Sequence, residues 1–275
     1  MCGIMVPMTA SALPVAICQF APVDDVAANR DTVARLVADA AARGGRLIVL
    51  PEYSSFFVDP MDDTLAANAE TLDGPFVQHL QALAAAHAAV IVAGLVEQAD
   101  AGRVHNTVVA VSDAGVRAVY RKQHLYDAFG QTESDWIAPG ETGEAAVFDV
   151  DGIRLGLMTC YDLRFPEVAR TLMDAGADAL IVPAEWVRGP LKEHQWNTLL
   201  TARAIESTAY VIAADHPGRI GVGLSQIIDP QGVVVAGVSS GEGIATGSVD
   251  AALIARTRET NPVLRLRRYR VVPAS

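Results

Sequence analysis

The sequence predicts an α/β protein with two mixed β-sheets and helices packed outside them. Short apolar runs, typical of buried strands, alternate with segments of helical periodicity, and this order favours parallel strands. Two further pairs of strands are joined by turn sequences at 112–115 and at Asp151-Gly152, which are typical of antiparallel hairpins. A hydrophobic content of 51% is sufficient for a large core.

The first half of the chain begins with a strand and an amphipathic helix. Asp24 and Asp25 can cap a helix over 26–42, and Gly44-Gly45 ends it. A second helix opens at Pro75, after a long loop over 54–72. The predicted strands of this half are 14–20, 46–50, 90–96, 105–111 and 116–120.

The second half repeats the alternation of strands and helices after a polar, aromatic loop over 126–140. Pro166 opens one helix, and Gly176 stops it. The predicted helices are 166–175, 191–207 and 251–259. The predicted strands are 146–150, 153–159, 179–182, 210–214, 223–228, 233–236 and 244–249.

No linker or repeat divides the chain, so a single domain over 13–260 is expected. Residues 1–12 are interpreted as a flexible leader, because they lack the basic start of a signal peptide. Residues 261–275 are predicted to form an extended C-terminal tail.

Charge and cysteine content limit the partners and the compartment. The net charge of −11 argues against nucleic acid and anionic membranes, since both require clustered cations. Cys2, Cys18 and Cys160 are too few and too widely spaced for a disulfide framework, and no C-x-x-C pair suggests a metal site. We therefore expect a cytoplasmic protein without a metal.

Three predicted strands end in chemically reactive side chains, Glu52, Lys122 and Cys160. Catalytic groups of α/β sheets gather at the carboxyl ends of strands. If these ends converge, a carboxylate can take the thiol proton and an ammonium can stabilise an oxyanion. The alternative is structural: Cys160 as a small buried hydrophobe, and Glu52 with Lys122 as a salt bridge at the sheet ends.

The chain resembles the nitrilase superfamily of carbon–nitrogen hydrolases. The matching segments appear in family order between about residues 14 and 272. They are LPE at 50–52, RKQHL at 121–125, ES at 133–134 ahead of PG at 139–140, CYDLRFPE at 160–167 and ARAIE at 202–206. The CYDLRFPE segment is most similar to the amidase-like branches, which include omega-amidases and deaminated-glutathione amidases.

The resemblance implies a four-layer α-β-β-α sandwich, a homodimer or higher homo-oligomer that often buries the C-terminal tail, and no cofactor. It implies that Glu52 is the general base, Lys122 the oxyanion stabiliser and Cys160 the nucleophile. Glu133 matches a further glutamate beside this triad. The backbone N–H of Tyr161 would complete the oxyanion hole.

The expected function is hydrolysis of a small linear carboxamide to an acid and ammonia through a Cys160 thioester. A nitrile or an N-carbamoyl substrate is the alternative within the same class. A catalytically silent binding or scaffold protein is the alternative of another class. Arg188 and Lys192 can receive a substrate carboxylate or be solvated. The candidate pocket residues are Tyr53, Phe57, Trp136, Glu185, Trp186 and Arg188.

Overall fold

The computed structural model describes residues 12–100 and 102–274, so nearly all of the predicted leader lies outside the described residues. The strands within these ranges are β1 (Leu13–Gln19), β2 (Leu47–Val49), β3 (Val90–Gln98), β4 (Val104–Ser112), β5 (Gly115–Arg121), β6 (Val147–Val150), β7 (Ile153–Leu157), β8 (Ala179–Ala184), β9 (Tyr210–Asp215), β10 (Gln226–Ile228), β11 (Val234–Gly237) and β12 (Gly243–Val249).

The helices in the same ranges are α1 (Val26–Ala42), α2 (Thr64–Ala67), α3 (Pro75–His87), α4 (Pro166–Asp174), α5 (Lys192–Ser207), α6 (Ala251–Thr260) and α7 (Val263–Leu266). Helix α1 has the predicted bounds, because the Asp25 side chain accepts hydrogen bonds from the N–H groups of Ala27 and Ala28. No described helix has the length and apolar character needed to cross a bilayer.

Two six-stranded mixed sheets carry the fold, as the sequence predicts. The first sheet has the order β12-β1-β2-β3-β4-β5, and the second has the order β11-β10-β9-β8-β7-β6. Strands β1, β2 and β3 are parallel in the first sheet, and β7, β8 and β9 are parallel in the second. Each sheet therefore has a parallel centre with antiparallel strands at its edges.

The apolar residues divide into layers that show a four-layer α-β-β-α sandwich. One buried cluster joins the facing sides of the two sheets, with Ile17 and Val49 from the first and Ile181 and Ile212 from the second. A second cluster packs α1 and α3 on the outer face of the first sheet. A third packs α4 and α5 on the outer face of the second sheet. The predicted fold class is confirmed.

The structure corrects two local predictions. The strand predicted over 223–228 begins only at Gln226, because Gly223 and Leu224 have positive φ angles of 70° and 54° that a strand does not accommodate. The tail, predicted to be extended, contains the short helix α7 directly after Pro262. Leu264 of this helix packs against the cluster under α5, which gives the turn an apolar contact.

Candidate active site

The carboxyl ends of strands from both sheets meet at one cavity. Glu52 lies three residues after β2, Lys122 directly follows β5, Cys160 lies three residues after β7, and Glu185 directly follows β8. All four side chains line the same cavity of about 350 Å³. The structure thus brings together the three strand ends that the sequence singled out.

Lys122 is the centre of this group and is almost fully buried, with 2% of its surface exposed. Its Nζ lies 3.0 Å from Oε1 of Glu52 and 3.0 Å from an oxygen of Glu133. Both carboxylates are also buried, at 1% and 5% exposure. Three ionisable side chains therefore share one water-poor site, where each charge depends on the others for compensation.

The pKa values of Lys122 and Glu133 reflect this mutual dependence. Burial acts to lower the pKa of Lys122, but the carboxylates of Glu133 and Glu52 outweigh it and hold that pKa well above its usual value. Burial acts to raise the pKa of Glu133, but Lys122, the N–H of Tyr126 and the hydroxyl of Tyr53 together lower it. The fold thus keeps Lys122 cationic and Glu133 anionic.

Asn106 is a member of the cluster that the sequence analysis did not identify. Its Nδ2 lies 2.6 Å from Oε1 of Glu52 and 3.2 Å from Oε1 of Glu133, so one amide bridges the two carboxylates. Its backbone carbonyl accepts the N–H of Lys122 at 2.8 Å. The signal in the sequence was an amide side chain at the polar start of the strand predicted over 105–111, ahead of its apolar run.

Gly94 allows the backbone of Glu52 to come this close to strand β3. A Cβ at this glycine would lie 2.2 Å from the nitrogen of Tyr53 and 2.6 Å from the carbonyl carbon of Glu52. Tyr53 itself has a positive φ of 56°, which turns the chain sharply after the carboxylate. The hydroxyl of Tyr53 then donates to Glu133 at 2.7 Å.

Cys160 begins a 3₁₀ helix, Cys160–Arg164, with a positive φ of 45°. The helix is held by a capping box, because the Thr159 hydroxyl accepts from the backbone of Asp162 and the Asp162 carboxylate accepts the N–H of Thr159 at 3.1 Å. The N–H of Tyr161 lies in the first turn and has no backbone acceptor within the described residues. It is available to a ligand beside the thiol.

Asp162 also ties the thiol-bearing turn to the segment that carries Lys122. Its buried carboxylate accepts the hydroxyl of Tyr120 at 2.7 Å and lies 2.8 Å from Nδ1 of His124. The His124 ring stacks on Phe165 with 3.8 Å between the ring centroids. These contacts fix the relative positions of the two segments, which flank the cavity.

The side chain of Cys160 is a protonated thiol rather than a thiolate in this arrangement. Burial raises its pKa well above the usual value, the negative charge of Glu52 raises it further, and Lys122 only partly opposes them. Its Sγ donates to the carbonyl oxygen of Glu185 at 3.3 Å. Attack by this sulfur therefore requires a base that takes the proton as the new bond forms.

Glu185 connects Glu52 and Cys160 through its backbone. Its N–H donates to Oε2 of Glu52 at 2.6 Å, and its carbonyl is the acceptor for the Cys160 thiol. Its side-chain Oε1 is buried without a hydrogen-bond partner in the described residues. Burial first, and then the charges of Glu52 and Asp215, raise the pKa of this carboxyl well above its usual value, which favours its protonated form.

The other predicted pocket residues divide between two adjoining spaces. Those in the main cavity are Tyr53, Phe57, Trp136 and Arg188. Tyr161 and Trp186 line a smaller side pocket that shares Cys160 and Glu185 with the main cavity. Arg188 is exposed, and its Nε donates to the carbonyl oxygen of Gly221 at 2.9 Å.

The arrangement supplies a nucleophile, a proton acceptor and a fixed cation to one small volume. These are the groups that acyl transfer from an amide requires. Within 12–100 and 102–274, no group of three or more His, Cys, Asp and Glu side chains has the spacing of a metal site.

Comparison of the sequence with known proteins identifies a family for this chain. The family described as carbon-nitrogen hydrolase matches residues 14–259. A protein of Escherichia coli O157:H7 named deaminated glutathione amidase is 39% identical over 251 residues, which cover 91% of this chain and 95% of that protein.

Solved structures of related proteins superimpose on nearly the whole chain. The NitFhit protein of C. elegans gives a TM-score of 0.85 at 29% identity, over 95% of this chain and 66% of that longer chain. XC1258 from Xanthomonas campestris, a CN-hydrolase superfamily protein with an arsenic adduct in its active site, gives a TM-score of 0.85 at 27% identity. That match covers 96% of this chain and 100% of the other.

The raised pKa of Glu185 predicts how stability depends on pH. Its raised pKa means that the folded protein keeps a proton that the unfolded chain loses near its ordinary pKa of about 4.3. Above that pH the contribution of Glu185 to stability falls as pH rises, by about 1.4 kcal/mol per pH unit, until the folded carboxyl also ionises. Glutamine does not ionise, so the Glu185→Gln variant lacks this decrease of stability with rising pH.

We therefore expect the free energy of unfolding of Glu185→Gln, relative to the unsubstituted protein, to increase as the pH rises above the ordinary pKa of about 4.3, until the folded carboxyl ionises. Urea unfolding at each pH measures it. Glu193→Gln, at an exposed position on α5, serves as the matched control and should show a constant difference. A constant difference for Glu185→Gln as well would show that this carboxyl is ionised in the fold.

Proposed function

Since the chain belongs to the carbon–nitrogen hydrolase family, we propose that it hydrolyses a small linear carboxamide to a carboxylic acid and ammonia through a thioester on Cys160. The observation that carries this proposal is the buried contact of Lys122 with Glu52 and Glu133 in the cavity that Cys160 lines. The relatives named deaminated glutathione amidase support an amide as the substrate.

In the first step, the Glu52 carboxylate takes the thiol proton while the sulfur of Cys160 bonds to the amide carbon. The carbonyl oxygen becomes an oxyanion, which the Lys122 ammonium and the N–H of Tyr161 stabilise. Glu52 then gives its proton to the amide nitrogen, the C–N bond breaks, and ammonia leaves. The acyl group remains on Cys160 as a thioester.

In the second step, water attacks the thioester carbon and gives a proton to Glu52. The C–S bond breaks, and the same proton returns to the sulfur of Cys160. The carboxylic acid leaves, and the site returns to its starting state. Glu133 does not exchange protons in this scheme, because it holds Lys122 and keeps it charged.

The first test is ammonia release from a panel of amides by the protein and by Cys160→Ala. The panel contains aliphatic amides, omega-amides of dicarboxylic acids, N-carbamoyl amino acids and nitriles, and deaminated glutathione is added with release of its free amine as the readout. We expect release from an amide that Cys160→Ala abolishes, because no other thiol lines the cavity in the described residues. Turnover that survives in Cys160→Ala contradicts the nucleophile, and turnover of nitriles alone contradicts the amide.

We expect Lys122 to accelerate the proposed reaction by stabilising its oxyanion. Loss of one oxyanion donor costs about a hundred- to a thousandfold in kcat. Lys122→Met should therefore lower kcat by at least that amount on the amide found above. Arg103→Met, which removes a cation from the surface, should leave kcat unchanged. An unchanged kcat in Lys122→Met would remove this residue from the mechanism.

We also propose that the chain forms a homodimer through its tail. Leu266, Tyr269 and Val272 project large apolar surface into solvent, with Tyr269 91% exposed. Apolar surface of this kind is typical of interfaces. Free cysteines at Cys18 and Cys160 support the cytoplasm as the compartment.

Removal of 261–275 should therefore reduce the mass in solution from twice the 29.0 kDa of the chain toward that of a monomer. Multi-angle light scattering measures it. The double substitution Leu266→Ser and Tyr269→Ser tests the same contact with α7 and the rest of the chain retained. An unaltered mass in both variants would place the interface elsewhere.

A further inference from the structure

Asn106 is a completely buried polar residue in the interior of the first sheet. Strand β4 lies between β3 and β5, and Asn106 is paired with Val96 of β3. On its other side, the carbonyl oxygen of Asn106 accepts the N–H of Lys122 at 2.8 Å. The sheet therefore fixes where the side-chain amide lies, beside the two carboxylates that contact Lys122.

The orientation of this amide is set by the same carboxylates. Nδ2 of Asn106 lies 2.6 Å from Oε1 of Glu52 and 3.2 Å from Oε1 of Glu133, so each carboxylate receives one of its two N–H groups. The opposite orientation would bring the amide oxygen against both carboxylates, where the negative charges repel it. Oδ1 is buried without a hydrogen-bond partner in the described residues. An unpaired buried acceptor is destabilising, so this side chain serves the site rather than the stability of the strand.

The hydrogen-bond donors around Glu52 leave one position of its carboxylate open. Oε1 accepts from Nζ of Lys122 at 3.0 Å and from Nδ2 of Asn106, which uses both of its lone pairs. Oε2 accepts the N–H of Glu185 at 2.6 Å and has no second donor in the described part of the chain. The carbonyl of Glu185 accepts the thiol of Cys160, so a single residue connects Oε2 to the sulfur.

Glu133 has no such open position. Its Oε1 accepts from Tyr53, Lys122 and Asn106, at 2.7, 3.0 and 3.2 Å. Its Oε2 accepts the N–H of Tyr126 at 2.6 Å and also lies 3.0 Å from Nζ of Lys122. A carboxylate whose lone pairs are all engaged has none with which to take a proton. Asn106 is thus one of the donors that distinguish a saturated carboxylate from one that can act as a base.

We propose that Asn106 is a positioning residue for proton transfer: with Lys122 it occupies Oε1 of Glu52, so that Oε2 is the oxygen that takes the proton of Cys160. In this step an O–H bond forms on Oε2, the S–H bond breaks, and the sulfur uses the released electron pair to bond to the amide carbon. Asn106 exchanges no proton. Its N–H groups stabilise the ionised form of Glu52. This inference rests on the proposed hydrolysis and adds a residue that acts through Glu52.

Other ionisable side chains surround Glu52 besides Lys122, and they come from both sheets. They are Tyr53, Glu133, Cys160, Glu185, Asp215 and His216. All of them are retained when Asn106 is replaced. A change in pH dependence that appears only on replacement of Asn106 therefore reports on the hydrogen bonds of its amide.

The test is the pH dependence of kcat/KM for a neutral amide that the protein hydrolyses. Asn106→Leu keeps the branched shape of the side chain and removes the donor. It should raise the pH of half-maximal kcat/KM on the acid side by about 1 to 2 pH units, because Glu52 without this hydrogen bond keeps its proton up to a higher pH. An unchanged midpoint would overturn the role of Asn106.

Thr107 provides the matched control. It is the next residue of β4, and its buried hydroxyl also donates to a carboxylate, that of Glu97, at 2.7 Å. Glu97 is not among the described residues that line the cavity. Thr107→Val should leave the midpoint unchanged, and an equal shift in Thr107→Val and Asn106→Leu would overturn the proposal.

A second substitution of Asn106 keeps part of the donor. The hydroxyl of Asn106→Ser has one hydrogen and can donate to only one carboxylate. This variant should give a midpoint between those of the unsubstituted protein and Asn106→Leu, and it replaces Asn106→Leu if that protein does not fold. A midpoint equal to that of the unsubstituted protein would show that the bridge between the carboxylates is not needed.

Alkylation of Cys160 by iodoacetamide separates this inference from the proposed hydrolysis. The sulfur bonds to the reagent as iodide leaves and the thiol proton is given up, so no amide has to be turned over. Mass spectrometry of the peptide that contains Cys160 measures the rate. We expect the acid-side midpoint of this rate to rise in Asn106→Leu and to stay constant in Thr107→Val.

The two measurements together distinguish the possible failures. A shift in the alkylation midpoint supports the role of Asn106 even if no amide in the panel is hydrolysed or if Asn106→Leu has no measurable turnover. Cys160-dependent hydrolysis with the same alkylation midpoint in every variant would retain the reaction and overturn the role of Asn106.

Discussion

The structure of the site depends on one buried ammonium shared by two carboxylates. Lys122 lies 3.0 Å from both Glu52 and Glu133, and all three side chains are removed from water. The loss of Lys122 would leave two uncompensated carboxylates in a region of low dielectric constant. Two strand ends of the first sheet and the loop between β5 and β6 bring these side chains together, so the cluster also fixes how these segments meet at the cavity.

The net negative charge of this cluster explains the state of the groups around it. Two carboxylates and one ammonium leave an excess of one negative charge next to Cys160, and that charge adds to burial in keeping the thiol protonated. The same field opposes ionisation of Glu185. In the proposed reaction, proton transfer to Glu52 therefore accompanies attack on the substrate.

A smaller pocket that Cys160 also lines contains two cationic side chains. Lys192 and Arg164 have aromatic neighbours but no carboxylate partner in the described residues. Cys160 therefore lines both the cavity that contains the negative cluster and the pocket that contains these two cations.

The sequence by itself determined the two mixed sheets and the bounds of helices such as α1. It also placed Glu52, Lys122 and Cys160 at strand ends. These features follow from apolar periodicity and helix capping, which depend only on residues that are neighbours in the chain. The tertiary structure alone decided which polar side chains meet. Asn106 bridges Glu52 and Glu133 across 54 and 27 residues of chain, and Lys192 reaches Tyr126 across 66. No local pattern encodes such contacts, since they arise only when distant strand ends and loops pack together.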